Sequence, residues 1–213
     1  FIFALYAVFT FYSENLIKFT KNLAYVKDLV KVGFPLSLHK LGLWLGSAAN
    51  RIIITSLLGA AATGSYGIGA TFGVMVTLIE DAFTKAFVPH LFDKLKDITD
   101  GKKVEIVKLS YSVYIFLIAI SIIIFLLGYF GVGIIFGEQY LETRAFILPL
   151  ILAAMFKGFY KLHVNYIMFT KKTYKITQIT FTTGILNIAL AYLMINQFGL
   201  LGAAYSMLII TFL

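Results

Sequence analysis

Long apolar runs separated by short polar connections dominate the chain. The runs cover residues 1–12, 33–58, 65–90, 109–136, 145–170 and 176–196, and a further run opens at Gly202 and continues to residue 213. The four longest contain about 26 residues each, whereas roughly 20 helical residues suffice to cross the hydrocarbon core of a bilayer. The pattern therefore predicts a series of membrane-spanning helices.

A transmembrane β-barrel would have a different pattern. Its strands are about ten residues long and alternate between polar and apolar residues, whereas these runs are longer and apolar on all sides. Glycines recur at helical spacing, as in Gly42 and Gly46 or Gly69 and Gly73, and such small residues allow membrane helices to approach closely. We expect an all-α, polytopic transmembrane helical bundle.

The two ends of the chain give a prediction about its domain organisation. The first run begins with Phe1, without the basic segment and small-residue cleavage site of a signal peptide, and the last run is still apolar at Leu213. The interpretation is a piece of a longer protein with three parts. These are a truncated transmembrane helix over residues 1–12, a cytoplasmic connection over 13–32 and a transmembrane lobe over 33–213.

The composition agrees with a lipid environment. Apolar residues make up 60% of the chain and charged residues 13%, against roughly 25% charged residues in a soluble domain. The mean hydropathy is +0.91. A soluble globular enzyme is excluded, because so few polar side chains cannot cover its surface. The absence of cysteine from the sequence excludes disulfides, thiolate metal sites and cysteine nucleophiles.

The basic residues are concentrated in alternate connections, and the formal net charge is +8. Twelve lysines fall in the connections that follow the first, third and fifth runs, whereas the other connections carry one arginine, Arg144. Because cytoplasmic loops carry the excess of Lys and Arg, we expect the lysine-bearing connections to be cytoplasmic and residues 59–64, 137–144 and 197–201 to be exterior. The lysines are Lys18, Lys21, Lys27, Lys31, Lys94, Lys96, Lys102, Lys103, Lys108, Lys171, Lys172 and Lys175.

Seven charged residues fall inside the predicted spans. Each costs about 2.5–3.5 kcal/mol at the centre of a membrane helix on insertion scales, so it normally faces the bundle interior or a water-filled cavity. The excess of basic over acidic residues predicts a cationic interior. The basic residues are Lys40, Arg51, Lys85, Lys157 and Lys161, and the acidic ones are Glu80 and Asp81.

Lys157 is the most informative of these residues because it falls at the middle of the run over 145–170. At the helical rise it lies about 19 Å from either end, so its side chain cannot reach the interface. Lys161 and Asn165 follow at four and eight residues and share its helix face. We favour a cavity-lining role for Lys157 and Lys161 over pairing with acids or carbonyls of a neighbouring helix.

Lys40 and Arg51 lie 11 residues apart and share a helix face, with Ser47 between them. Two interpretations stay equally open for this pair. Both side chains line a cavity, or Lys40 extends toward the cytoplasm and Arg51 toward the exterior interface.

The acidic residues have their own alternatives. Glu80 either neutralises one of the buried cations, which we favour, or carries a proton in coupled transport. Lys85 follows Asp81 by one turn, which favours an ion pair between the two on the helix surface, or extension of Lys85 to the interface.

Cofactor motifs are absent from the sequence. No phosphate loop ending in Gly-Lys-Ser/Thr occurs, and His39, His90 and His163 are too dispersed to indicate a metal site. We expect no cofactor, no metal ion and no nucleic-acid partner. Lysine and arginine in a cavity of low dielectric favour an anion such as phosphate or pyrophosphate, and buried Tyr, Asn and Ser suit sugar hydroxyls. The predicted ligand is an amphiphile with an anionic, sugar-bearing head.

Several short motifs resemble a known family. The chain is similar to the C-terminal half of Wzx-type polysaccharide-biosynthesis flippases, members of the multidrug/oligosaccharidyl-lipid/polysaccharide exporter superfamily, over nearly its whole length. The motifs are Val32-Gly33-Phe34-Pro35-Leu36, Asn50-Arg51-Ile52-Ile53-Ile54, Leu58-Gly59, Gly64-Ser65-Tyr66-Gly67-Ile68, Ala86-Phe87-Val88-Pro89, and the stretch from Asn187 through Asn196-Gln197-Phe198-Gly199-Leu200-Leu201-Gly202-Ala203-Ala204.

The resemblance implies two six-helix lobes that form a V around a central cavity and alternate between inward-open and outward-open states. Such proteins move undecaprenyl-pyrophosphate-linked oligosaccharide units across the bacterial cytoplasmic membrane. This chain would supply the last helix of the first lobe and most of the second, and the missing N-terminal lobe would be its partner across the cavity. In many relatives an Asp precedes the arginine that corresponds to Arg51, whereas Asn50 stands here and leaves Arg51 free for an anion.

The resulting hypothesis is a flippase for polyprenyl-pyrophosphate-linked oligosaccharides that makes and breaks no bond and lies, as a multi-pass protein, in the bacterial cytoplasmic membrane. Its candidate ligand-binding cations are Lys157, Lys161, Arg51 and Lys40, and the candidate polar lining or coupling residues are Glu80, Asn165 and Ser47. Three alternatives stay open: a drug or cation antiporter of the same fold, a membrane-embedded polysaccharide polymerase or acyltransferase, and a purely structural membrane subunit.

Overall fold

The computed structural model describes residues 2–14, 23–170 and 173–212, and these residues form helices without any strand. Four of the helices are long and apolar enough to cross a membrane. The predicted all-α, polytopic membrane bundle is therefore confirmed. The elements are α1 (Ile2–Ser13), α2 (Leu23–Lys96), α3 (Asp100–Phe136), a 3₁₀ helix (Glu138–Thr143), α4 (Arg144–Phe169) and α5 (Thr173–Phe212).

The chain divides into two compact units, Phe1–Phe34 and Pro35–Leu213. The first contains α1, which corresponds to the helix predicted over residues 1–12, and the beginning of α2. The predicted connection over 13–32 is helical from Leu23 onward, and its residues 15–22 lie outside the described part of the chain. The second unit holds all the candidate site residues.

Helix α2 folds back on itself at Gly59. This glycine has φ 88° and ψ 173°, a conformation that is essentially restricted to glycine. The hydroxyls of Thr55 and Thr63 lie 2.8 Å apart, although eight residues of a straight helix would separate them by about 12 Å. Gly59 divides α2 into residues 23–58 (α2a) and 60–96 (α2b). Within the second unit, residues 35–58 and 60–96 form a helical hairpin with a one-residue turn, where the sequence pattern predicted a six-residue connection over 59–64.

Helix α5 has a similar turn at Gly199, with φ 60° and ψ −137°. Gly202 lies directly against the backbone of Met194, so closely that a side chain at position 202 would collide with it. Residues 173–198 (α5a) and 200–212 (α5b) form a second hairpin. The six apolar runs from residue 33 onward thus correspond to α2a, α2b, α3, α4, α5a and α5b.

The helices extend further than the apolar runs at one end of the bundle. Helix α2b continues six residues beyond the predicted end at His90, and α3 begins at Asp100, nine residues before the predicted start at Leu109. Thr99 caps the start of α3 by accepting a hydrogen bond from the backbone of Lys102. Hydropathy marks the apolar part of a helix, whereas its backbone hydrogen bonds continue through the polar interface.

The short glycine turns lie together at the opposite end, which we call the turn end. One apolar cluster joins Ile54 and Tyr66, on either side of Gly59, to Phe146 near the start of α4 and to residues 191–204 around Gly199. Gly137, which precedes the 3₁₀ helix, also has a positive φ. These are the three connections that the distribution of basic residues predicts to be exterior.

The other end, which we call the lysine end, carries most of the described basic connection residues. Three of its lysines form ion pairs, Lys96 with Asp93 at 2.7 Å, Lys103 with Asp100 at 2.9 Å, and Lys94 with Glu105. Lys18, Lys21, Lys171 and Lys172, which contributed to the predicted orientation, lie outside the described residues.

Two kinds of packing hold the second unit together. Helices α2b, α3 and α4 share two large apolar clusters, centred on residues such as Leu117, Val76 and Ile151. Helix α2a instead meets α5a through small residues, since a Cβ atom on Gly184 would lie 2.9 Å from the backbone oxygen of Gly42. Close backbone approach of this kind is typical of membrane helices.

Candidate functional site

Lys157 lies at the middle of α4, where the sequence pattern predicted it, and its side chain is half-buried. It lines two adjoining cavities inside the second unit. Among residues 2–14, 23–170 and 173–212, no carboxylate lies within ion-pair distance of its ammonium group. Lys157 is therefore a mid-helix cation beside open space, and none of the described carboxylates serves as its counter-ion.

The first cavity has a volume of about 340 Å³ and lies between α2a, α4 and both limbs of α5. The second has about 250 Å³ and lies between α2a, α2b, α4 and α5b. The two cavities share Ser47, Lys157, Met207 and Thr211 as lining residues. They are therefore neighbouring compartments of one cavity region, with Lys157 at their common boundary.

Arg51 is brought to the same region, because its side chain lines the second cavity with Lys157. Ser47, one turn before Arg51 on α2a, lines both cavities. Lys40 lines neither of the two and is exposed on α2a. Of the four predicted ligand-binding cations, the structure thus places Arg51 and Lys157 at the cavities.

Lys161 is one turn from Lys157 but has a different environment. Its ammonium group donates hydrogen bonds to the carboxylates of Glu80 and Asp81, each at 2.5 Å. Glu80 is 2% exposed and also accepts a hydrogen bond from the Thr84 hydroxyl at 2.7 Å. Lys161 lines neither cavity, so its amine is occupied by the two acids of α2b.

The triad of Lys161, Glu80 and Asp81 decides between the alternatives that the sequence left open for the two acids. Glu80 pairs with a buried cation, which was the favoured interpretation. Asp81 pairs across the bundle with Lys161 and not with Lys85 on its own helix. Because both carboxylates form ion pairs with Lys161, neither of them is available to pair with Lys157.

Asn165 is buried at 8% exposure and lies one turn beyond Lys161 on α4. Its side-chain nitrogen has no hydrogen-bond partner among the described residues. It lines neither cavity. The polar stripe that the sequence shows on α4 therefore divides into Lys157 at the cavities, Lys161 in an ion-pair cluster, and Asn165 apart from both.

The contact between α2a and α5a contains polar residues that sequence reasoning did not connect. The Asn187 side-chain nitrogen donates to the backbone oxygen of Gly46 at 2.8 Å and to the side-chain oxygen of Asn50 at 3.2 Å. The His39 ring lies 2.8 Å from the Thr180 hydroxyl. The available signal was the spacing of Thr180, Thr183 and Asn187, which places these residues on one face of an apolar helix.

The chemistry of the site is that of a binding region. The cavities present two cations, several hydroxyls, the side-chain amide of Asn187, and apolar walls. Within the described ranges, no group of three or more His, Cys, Asp or Glu side chains could hold a metal ion. Such an arrangement suits an anionic ligand with hydrogen-bonding groups.

Comparison with known proteins identifies the family of the chain. Residues 2–145 match the family described as polysaccharide biosynthesis protein. The chain belongs to this family and is a multi-pass membrane protein of polysaccharide synthesis.

A particular relative is a Haemophilus influenzae protein described as Lsg locus putative protein 1, which is 24% identical to this chain over 160 residues. The match covers 74% of this chain and 39% of that protein, so the chain spans well under half the length of its relative. No solved structure matches the chain.

Proposed function

We propose that the chain forms the C-terminal part of a flippase, which moves polyprenyl-pyrophosphate-linked oligosaccharide units across the bacterial cytoplasmic membrane. The observation that carries the proposal is the position of Lys157, a mid-helix cation that lines two cavities and pairs with no carboxylate in the described part of the chain. Membership of a polysaccharide biosynthesis family supports the substrate class.

The physical reason is charge compensation in a medium of low dielectric. An uncompensated ammonium group is costly inside a membrane, and a pyrophosphate would supply the missing negative charge. Lysine binds phosphate as a point charge and arginine as a planar fork, so Lys157 and Arg51 together suit a group with several anionic oxygens. The polyprenyl tail stays in lipid while the head crosses, and no bond is made or broken.

Two observations favour this transporter over the alternatives. A drug or cation antiporter of the same fold needs available carboxylates, whereas Glu80 and Asp81 are engaged by Lys161. A membrane polymerase or acyltransferase is expected to carry catalytic groups in long exterior loops, whereas the turns at Gly59 and Gly199 contain a single non-helical residue each.

The orientation and the remainder of the transporter are part of the same proposal. The excess of lysines supports a cytoplasmic position for the lysine end. The match to only 39% of the relative supports a longer protein, whose N-terminal lobe would supply the opposite wall of the transport path. Alternating exposure of that path to the two sides of the membrane would then move the head group.

The test is Lys157→Met in the full-length protein, reconstituted in vesicles that contain an undecaprenyl-pyrophosphate-linked saccharide. We expect the flipping rate to fall by at least about tenfold, since the main charge partner of the ligand is lost. Lys85→Met is the matched control, because Lys85 is an exposed lysine of α2b that lines neither cavity. A wild-type rate in Lys157→Met would reject the proposal.

A further inference from the structure

We propose that the first cavity binds the sugar ring that adjoins the pyrophosphate, with Tyr160 and Asn187 as its hydrogen-bonding residues. The inference rests on the proposed function and assigns the two cavities different parts of one ligand. Apart from Lys157, the polar lining of the first cavity is uncharged. Its polar residues are Ser47, Tyr160, Thr180, Thr183, Asn187 and Thr211.

Two of these residues carry buried polar atoms without a partner. The Tyr160 hydroxyl and the Asn187 side-chain oxygen make no hydrogen bond within the described part of the chain. Asn187 is 2% exposed, and its nitrogen is already used by Gly46 and Asn50. A buried polar atom left unpaired costs about 1–3 kcal/mol, so two such atoms in residues that line the same cavity need an explanation. A hydroxyl-bearing ligand supplies both a donor and an acceptor.

The remaining walls of the first cavity suit the apolar faces of a sugar ring. Leu43, Ile179 and Phe212 line it together with the polar residues. A saccharide presents hydroxyls at its edge and C–H groups on its faces, so it matches a wall that mixes the two. The volume of about 340 Å³ lies within the usual range of small-molecule sites and accommodates a monosaccharide-sized group.

The second cavity differs from the first in having a second cation, which favours an anionic ligand. It adds the Arg51 guanidinium to Lys157, while the other polar groups that line it are the hydroxyls of Ser47, Tyr66, Thr77 and Thr211. Lys157 is shared by both cavities, which places the junction between pyrophosphate and sugar beside its amine. A polyprenyl chain in the first cavity is disfavoured, because hydrocarbon would leave the Tyr160 and Asn187 atoms unpaired.

The experiment compares two ligands with the full-length protein. The probes are undecaprenyl pyrophosphate alone and undecaprenyl pyrophosphate that carries one N-acetylhexosamine, and the measurement is the dissociation constant of each. We expect the wild-type protein to prefer the sugar-bearing lipid. Tyr160→Phe should reduce that preference about threefold to tenfold, the value of one hydrogen bond, and leave the affinity for the bare lipid unchanged.

The control variants separate binding from structure. Tyr192→Phe changes an exposed tyrosine of α5a that lines neither cavity and should retain the full preference. Tyr160→Phe removes a hydroxyl that has no protein partner, so its unfolding temperature should stay at or above the wild-type value. Thr183→Val, which removes a second cavity hydroxyl at nearly constant volume, should reduce the preference in the same direction.

The outcomes distinguish the two proposals. Equal wild-type affinities for the two lipids, or a full preference in Tyr160→Phe and Thr183→Val, would show that the sugar does not bind to these groups, and would overturn the sugar site. Undiminished binding of the bare lipid by Lys157→Met would instead reject the anion site on which the proposed function depends. A preference that falls in both cavity variants and survives in Tyr192→Phe would support the sugar site.

Discussion

Lys157 and Lys161 lie one helical turn apart on α4, yet among the described residues only Lys161 of the two pairs with carboxylates, those of Glu80 and Asp81 at 2.5 Å. Lys161 is therefore expected to stabilise the fold, and Lys157 is the candidate for ligand binding. The ion pairs of Lys161 join α4 to α2b, whereas Lys157 retains a charge that no described carboxylate neutralises.

The two lysines should respond oppositely to replacement by methionine. Lys161→Met leaves the buried Glu80 carboxylate without its cation, and breaking a buried pair in this way costs about 3 kcal/mol or more. Lys157→Met removes an uncompensated charge, so the unfolding temperature in detergent should be unchanged or higher. Thermal unfolding of the two purified full-length variants, compared with the wild-type protein, tests both expectations.

The double variant Glu80→Gln/Lys161→Met supplies the control for that comparison. Because it removes the unpaired Glu80 charge together with its partner, this variant should recover part of the stability lost in Lys161→Met. Equal stability of Lys161→Met and the wild-type protein would contradict a structural role for the triad.

The one-residue turn at Gly59 gives a second prediction. An alanine there would have to adopt φ 88° and ψ 173°, which costs about 1–3 kcal/mol. Gly59→Ala should lower the unfolding temperature and the yield of folded protein. Gly64→Ala is the matched control, since Gly64 lies within α2b and nothing approaches its missing Cβ within 4 Å. That change should be neutral or stabilising. A lower unfolding temperature for Gly64→Ala than for Gly59→Ala would disprove the hairpin.

The contact between α2a and α5a gives a third prediction. In Gly184→Ala the new methyl group would lie 2.9 Å from the Gly42 backbone oxygen, which forces the two helices apart and costs about 1–3 kcal/mol. In Gly46→Ala the nearest atom is the Asn187 side-chain nitrogen at 3.8 Å, an ordinary contact. Thermal unfolding should therefore separate the two variants clearly. Similar losses in both would indicate that the helices do not approach each other at Gly184.

The membrane spans could be predicted from sequence because a lipid bilayer imposes a minimum length of apolar helix. The apolar runs around Gly59 and Gly199 contain two spans each, and the glycines separate them. The exact turns could not be predicted, since one residue in a glycine-only conformation leaves the same sequence pattern as a short loop. The helix ends at Lys96 and Asp100 also lie beyond the apolar signal.

The candidate site was predictable only in part. The position of Lys157 at the centre of its helix follows from the 3.6-residue repeat and the length of the run. The same reasoning assigns Lys161 to the cavity, because both lysines share a helix face. What separates them is the position of Glu80 and Asp81 on another helix, and the hydrogen bonds of Asn187 likewise depend on a partner 141 residues away along the chain.

The hairpin at Gly59 has a consequence for biogenesis. With a single residue between them, we expect α2a and α2b to enter the bilayer together, as one hairpin. Arg51 on one limb and the acids Glu80 and Asp81 on the other then enter lipid in the same event, before α4 has been synthesised. Lys161, which pairs with both acids, lies 81 and 80 residues further along the chain, so this ion-pair cluster can form only after α4 has joined the hairpin.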